Sequence, residues 1–341
     1  MSGAKINTNL RDIADIVGCS VATVSNAING RGRMSKETRR EILRLAAEKN
    51  FVPNSAGRSL RLRRTDAVGV IYAPSFAELF GNVFYARIME GMAETFGNAG
   101  IDLMLGHRME NHELPGIVKQ GKVDALVVLA GVFGPETYET LKGCPAPLCL
   151  VDTHVDFLRA DSLTTDGFGG ARAVAAHFAE KGHGEVLIVA YETPLYNIEQ
   201  RIAGFTSGLR EHGIDIPPDR LVARVANDDA AVIHVLGRMR RANPPTAVFA
   251  VNDTLAVHLV TALAGEGVRV PEELSVVGFD DDPMAARCVP ALTTVGTAKR
   301  SLGDIGANLV LERLRNPRRP PVHHVQPTRL VVRDSVATIV G

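Results

Sequence analysis

The sequence has no tryptophan, and aromatic residues make up only 5% of its 341 positions. Any face-on stacking against a ring-shaped ligand therefore falls to Phe or Tyr. Cysteine is nearly as scarce. Cys19, Cys144, Cys149 and Cys288 form no C-x-x-C pair, which argues against a disulfide framework or a zinc site and suits reduced thiols in the cytoplasm. No apolar run approaches the ~20 residues of a membrane helix, and the opening MSGAKINTNLRDIADIVG lacks the apolar stretch of a secretory signal. Walker, G-x-S-x-G and H-E-x-x-H patterns are all missing, so nothing points to catalysis, and neither cofactor nor metal is expected. Disorder is excluded by a 45% hydrophobic content, and the length suits two or three domains.

Net charge is also absent, with 38 basic against 38 acidic side chains, but its distribution is uneven. Residues 1–64 hold 13 Lys/Arg against five Asp/Glu, leaving 25 against 33 in the remainder. A small basic head on an acidic body predicts that the head meets a polyanion. Leu10, Ile13, Ala14 and Val17 fall on one face of a short helix that Gly18 ends. Ser20 can cap a second helix over Val21 to Ile28, with Val21, Val24 and Ala27 or Ile28 inward and Ala22, Thr23, Ser25 and Asn26 outward. Asn29-Gly30 closes it as a turn, and Ser35 caps a third helix running to about Asn50. Two short helices joined through Gly18 and braced by a third read as a helix-turn-helix, although three-helix bundles also serve as plain structural modules. After Pro53, a polar and basic stretch carries Arg58 and one large apolar side chain, Leu60. It reads either as a linker or as a segment that becomes helical on DNA and wedges Leu60 into the minor groove.

The run from Leu10 to Leu60, with V-A-T-V-S, S-x-x-T-R and P-N-x-x-x-R-S-L, closely resembles the DNA-binding head of the lactose-repressor (LacI/GalR) family of bacterial transcription regulators. The resemblance implies Ser20 to Asn26 as the recognition helix, with Ser20, Val21, Ala22, Thr23, Ser25, Asn26, Asn29, Arg58 and Leu60 meeting DNA. Two departures stand out. Asn26 sits where many members carry an Arg that reads guanine, and Gly57 replaces a more usual Ala in the hinge, at a cost of about 1 kcal/mol to its helix.

From residue 66 the pattern becomes alternating strand and helix. Apolar runs stand at 67–73, 101–106, 124–130, 146–151, 185–191, 246–251 and 274–279, with helical stretches over 83–98, 198–212 and 253–266. Such runs predict parallel sheets covered on both faces, and their number predicts two lobes. Ligands of such sheets lie beyond the strands' carboxyl ends, where Tyr72, Ser75, His107, Asp152, Tyr191, Asn252-Asp253 and Asp280-Asp281-Asp282 stand, with Phe84 and Arg201 nearby. This body is similar to the type I periplasmic-binding-protein fold of the same family. Through R-x-A-G-F, A-V-N-D and V-V-G-F-D-D, the resemblance implies Arg201, Asn252 and Asp280 as effector contacts, and Asp152 more weakly. Where the family often places a stacking aromatic, the match is Asp228, so ring stacking would fall to Phe76, Phe80 or Tyr196. Each residue also has a plainer reading: Asn252 and Asp253 as helix caps, Arg201 as an ion-pair member, Asp281 and Asp282 as solvated loop charges. Asp166 to Gly170 reads as a helix start, and His323-His324 as an exposed loop.

The expected architecture is thus α/β, a two-lobed periplasmic-binding-protein-like core of parallel sheets preceded by an all-α helix-turn-helix domain. Residues 1–52 form the head, 53–65 the hinge and 66–341 the core, with one lobe at about 66–165 and 294–325 and the other at about 166–293 and 326–341. The expected function is a cytoplasmic, nucleoid-associated homodimeric repressor of a pseudo-palindromic double-stranded operator, controlled by a small effector, a sugar or sugar acid. A solute-binding protein of a transport system and an enzyme built on the α/β body are the alternatives.

Overall fold

The computed structural model describes residues 9–28, 30–49, 51, 64–72, 79, 81–106, 113–129 and 135–339. The expected hinge contacts Arg58 and Leu60, the turn residue Asn29, and Ser75, Phe76, Phe80 and His107 lie outside them. The chain divides into two compact units, Met1–Arg64 and Thr65–Gly341.

The first unit is three helices, α1 (Leu10–Val17), α2 (Val21–Ile28) and α3 (Lys36–Glu48). Asn9 and Asp12 form a reciprocal capping box at the start of α1, and Gly18 ends it with a left-handed φ of 71°. Ser20 accepts the Thr23 amide at 3.1 Å, so α2 begins on a side-chain cap. Ile13, Ala14, Val24, Ala27, Ile42 and Leu45 form the core between the three helices. Val21 does not pack inward as expected: it is 40% exposed, because Val24 and Ala27 already fill that face.

The second unit holds two parallel sheets. The first lobe's sheet has six strands in the order β11-β5-β4-β3-β1-β2, comprising β1 (Ala67–Tyr72), β2 (Asp102–Leu105), β3 (Ala125–Leu129), β4 (Leu148–Val151), β5 (Asp161–Thr165) and β11 (His323–Gln326). The second lobe's sheet runs β7-β6-β8-β9, from β6 (Val186–Tyr191), β7 (Val222–Val225), β8 (Ala247–Ala250) and β9 (Ser275–Val277). Beside the second sheet, β10 (Thr294–Gly296) pairs antiparallel with β12 (Arg329–Val331), and Gly296 bridges Asp280 just past β9. Helices α4 (Val83–Asn98), α5 (Gly116–Lys119) and α6 (Pro135–Lys142) flank the first sheet. Helices α7 (Gly167–Glu180), α8 (Tyr196–Glu211), α9 (Pro218–Leu221), α10 (Asp228–Met239) and α11 (Asp253–Gly265) belong to the second, and α12 (Lys299–Arg315) returns to the first.

Strand periodicity explains why both faces are covered. Val68, Val70 and Tyr72 of β1 join Ile88, Met92 and Phe96 of α4 in one core, while Ala67 and Ile71 join Val118 and Leu141 in another. Asp166 caps α7 by accepting the Gly169 amide, so its glycine-rich start is a helix beginning, as expected. His323 and His324 are not a loop: they form edge strand β11, paired parallel with β5. Among the described residues no three His, Cys, Asp or Glu are grouped to hold a metal ion, and no helix is long and apolar enough to cross a membrane.

Helices α4 and α12 touch through their backbones. A Cβ added at Gly303 would lie 2.0 Å from the Ile88 carbonyl oxygen, and one at Gly91 2.3 Å from that of Arg300. Gly303→Ala is therefore expected to cost about 1–3 kcal/mol by forcing the helices apart, read as a lower urea midpoint at unchanged slope.

Candidate functional site

The carboxyl ends of both lobes' strands carry polar side chains that face one another. Tyr72 ends β1, Asp152 follows β4, Tyr191 ends β6, and Asn252 and Asp280 stand just past β8 and β9. Asp152 is buried, and its Oδ2 accepts the Tyr85 hydroxyl at 3.1 Å and the Asn197 amide at 2.9 Å. The first partner belongs to the first lobe and the second to α8 of the other, so this carboxylate ties the lobes together. Tyr72 packs edge-on against Tyr85, with ring centres 4.9 Å apart. Phe84 lies in the first lobe's core and meets the group through the edge of Tyr85, at 5.2 Å.

Arg201 and Asp280 form the second centre. The Arg201 Nη2 donates to Asp280 Oδ1 at 3.0 Å, its Nη1 donates to the Val251 carbonyl, and the guanidinium lies 3.8 Å over the Phe279 ring. Arg201 is thus an ion-pair member, in line with its plainer reading, at the candidate site. Asn252 takes its plainer reading too: its Oδ1 caps α11 by accepting the Leu255 amide at 2.9 Å, with Tyr191 near its side chain. The Tyr191 hydroxyl donates to Asp228 Oδ1 at 2.7 Å, so a carboxylate and a phenol occupy this wall.

Two further features set this group apart. Asp152 and Asp280 have φ values of 64° and 108°, conformations that L side chains rarely adopt; such strain of about 1–3 kcal/mol per residue clusters where side chains must be aimed. In addition, Asp152 Oδ1 and Arg201 Nε are buried with no hydrogen-bond partner among the described residues. A buried acceptor and a buried donor whose charges influence each other offer hydroxyl-bearing molecules both halves of a bonding pattern.

Burial also sets the charges. It pushes Asp152 up to about 7, reinforced by Asp280 and opposed by Arg201, and it lifts Asp280 to about 6 against the pull of Arg201. Because the folded value of Asp152 exceeds its ordinary 3.8, the native state binds the proton more tightly. This group's contribution to stability therefore falls as pH rises from about 4 to about 7, then levels. Asn at this position cannot titrate. Asp152→Asn is thus expected to gain in melting temperature over the parent by roughly 5 °C between pH 5 and pH 8. A constant difference across that range, by differential scanning calorimetry, would contradict the buried-acid account.

Asp281 and Asp282 are not solvated loop charges: Asp281 pairs with Arg333 at 2.5 Å and Asp282 with Lys299 at 3.3 Å. Asp253 is buried, accepting Thr294 Oγ1 at 2.6 Å and the Asp282 amide at 2.7 Å. The sequence reading missed Tyr85 and Asn197. Asn197 was findable, since it stands one helical turn before Arg201 on the same face; Tyr85 carried no local signal. In the first unit, Ser20, Ala22 and Asn26 are exposed and Thr23 and Ser25 half-buried on one side of α2.

Comparison with known proteins agrees with this layout. Residues 9–54 match the model for bacterial regulatory proteins of the lacI family, and 175–336 match the periplasmic binding protein-like domain. The HTH-type transcriptional repressor PurR of Photobacterium profundum is 25% identical over 96% of this chain and 98% of its own. The ribose operon repressor of Haemophilus influenzae is 26% identical over 97% and 99%. Among solved structures, the regulator CelR in complex with cellobiose superposes with a TM-score of 0.72 at 25% identity, over 96% of this chain and 99% of that one. The lac repressor dimer bound to operator superposes at 0.82 with 20% identity, over 97% and 99%, a likeness of fold. With a matching head, a matching body and relatives aligned along nearly its whole length, the chain belongs to the lacI family of bacterial regulatory proteins.

Proposed function

We propose that the protein is a dimeric transcriptional repressor whose hold on a pseudo-palindromic operator is set by a sugar or sugar acid bound between its lobes. The buried Asp152 Oδ1 and Arg201 Nε, without a hydrogen-bond partner among the described residues, carry this reading, since they supply an acceptor and a donor in a cluster that also holds Asp280, Tyr85 and Tyr72. Two relatives of solved structure, the CelR–cellobiose complex and an Enterococcus faecium lacI-family regulator with bound ribose, support a sugar. In this reading Arg201, Asn252, Asp280, Asp152 and Tyr72 contact the effector, with Phe84 behind them. Ser20, Val21, Ala22, Thr23, Ser25, Asn26, Asn29, Arg58 and Leu60 contact DNA. Residues 1–52 are the head, 53–65 the hinge and 66–341 the core. The protein works in the cytoplasm, on the nucleoid, and is assigned no catalysis.

Three chain crossings, at 165–167, 296–299 and 326–329, join the lobes, so closure on a ligand rotates one lobe against the other. A coupling of about 1–3 kcal/mol between sugar and operator is the expected size. The test has two arms. Ribose and cellobiose are screened by thermal shift, since a ligand of the native state raises its melting temperature. Binding to the DNA upstream of its own gene is then followed against salt, where a repressor shows a steep negative slope and a preference over unrelated DNA. A shallow slope with no preference would end the reading.

A further inference from the structure

Helix α2 ends in an arrangement that fixes the residue just beyond it. Gly30, at φ +68°, donates its amide to the Ala27 carbonyl at 3.2 Å, and Arg31 donates its amide to the Asn26 carbonyl at 2.8 Å. These paired bonds, one spanning three residues and the next spanning five, form a Schellman motif, with glycine at the left-handed position. Arg31 is thereby tied to the backbone of Asn26. A second clamp acts from α3, where Arg39 Nη2 donates to the carbonyls of Arg31 and Gly32 at 3.2 and 3.3 Å. Gly32, at φ +77°, turns the chain back until a Cβ there would lie 3.2 Å from the Asn26 side chain. The side chain of Arg31 itself is exposed and has no recorded partner among the described residues.

From these fixed positions we infer that Arg31 is a phosphate clamp, set at the far wall of the groove that α2 enters, and that Arg39 is the residue that positions it. The inference rests on the DNA-binding reading above. Eight helical residues span about 12 Å, which is about the width of the major groove. With the start of α2 facing base edges, its end reaches the sugar–phosphate rim. A bare helix C-terminus is unfavourable there, because its carbonyls carry partial negative charge. The Schellman bonds occupy two of those carbonyls, and Arg31 adds a fixed positive charge at the point where a phosphate passes. Such a contact sets the register of the helix without reading a base. It also supplies a cation near Asn26, whose side chain has none.

The test measures binding of the full chain to its own upstream DNA and to an unrelated duplex, over 50–200 mM salt. Arg31→Ala is expected to make the salt slope shallower by about 0.9 per protomer. Both duplexes should lose affinity by similar factors, and base preferences across the site should be unchanged. Arg39→Ala, with Arg31 present but unclamped, should shift the slope in the same direction by less, with restoration by Arg39→Lys. A changed preference at one base pair with an unchanged slope would make Arg31 a base reader and overturn the inference. An unchanged slope and affinity would overturn it too. Should the parent protein itself show no preference for the upstream duplex, the DNA-binding reading fails first, and the two failures are distinguishable.

Discussion

Truncating Arg201 to alanine should destabilise the larger unit by about 3–5 kcal/mol, the usual cost of removing one partner from a buried ion pair. Arg201 is 3% exposed and Asp280 8%, so neither charge has water to fall back on. The truncation strands the Asp280 carboxylate, frees the Val251 carbonyl, and empties the space over the Phe279 ring. In a unit of this size the melting temperature should drop by roughly 6–20 °C. Asp280→Asn is the informative companion. Burial has already raised that carboxyl to about 6, so a neutral side chain of the same shape removes a charge that the fold holds reluctantly. Its melting temperature should stay near the parent's, while the sugar-dependent change in operator binding disappears. An Arg201→Ala protein that melts like the parent would mean that the pair is not buried in solution. A fully inducible Asp280→Asn protein would move the effector site elsewhere.

The second large effect is expected at Asp161, which opens β5 and is fully buried. Its two oxygens receive five donors: Arg313 Nε and Nη2 at 3.1 and 2.8 Å, Arg319 Nη1 and Nη2 at 3.0 and 2.7 Å, and the Val322 amide at 2.9 Å. One carboxylate therefore pins the end of α12, the following turn and the entry to β11. Asp161→Ala leaves two guanidinium groups facing each other in a site nearly closed to water, again about 3–5 kcal/mol. Loss should begin locally. Amide exchange at His323–Gln326, held to the sheet through β5, should accelerate before global unfolding. A loss below about 1 kcal/mol would class the cluster with solvent-screened surface pairs.

Much of the fold was legible because burial imposes periodicity. The strands at 67–72, 125–129, 186–191 and 247–250 are apolar throughout, as strands covered on both faces must be. Where that rule is broken, the sequence was silent. The β5 segment Asp-Ser-Leu-Thr-Thr is wholly buried yet mostly polar. It can lie there because Arg313 and Arg319 meet its aspartate, His154 its serine and His323 one threonine. None of these partners is a sequence neighbour. The edge strand β11 was read as a loop for the same reason: His-His-Val-Gln has no apolar face of its own and becomes a strand by pairing with β5.

The site divides along the same line. Position at a strand's carboxyl end is a local property, and it was enough to place Tyr72, Asp152, Tyr191, Asn252 and Asp280 at those ends from the chain alone. Charge asymmetry and helix caps likewise fixed the head's role and its three helices. Tertiary structure alone decided that Asp152 spans the lobes through Tyr85 and Asn197, that Arg201 is held by Asp280, and that Asp281 and Asp282 are paired rather than solvated. The physical reason is separation. Periodicity and capping act over a few residues, whereas these contacts join groups from 17 to 79 positions apart, and a carboxylate's charge and reach depend on which distant donors the folded chain brings to it.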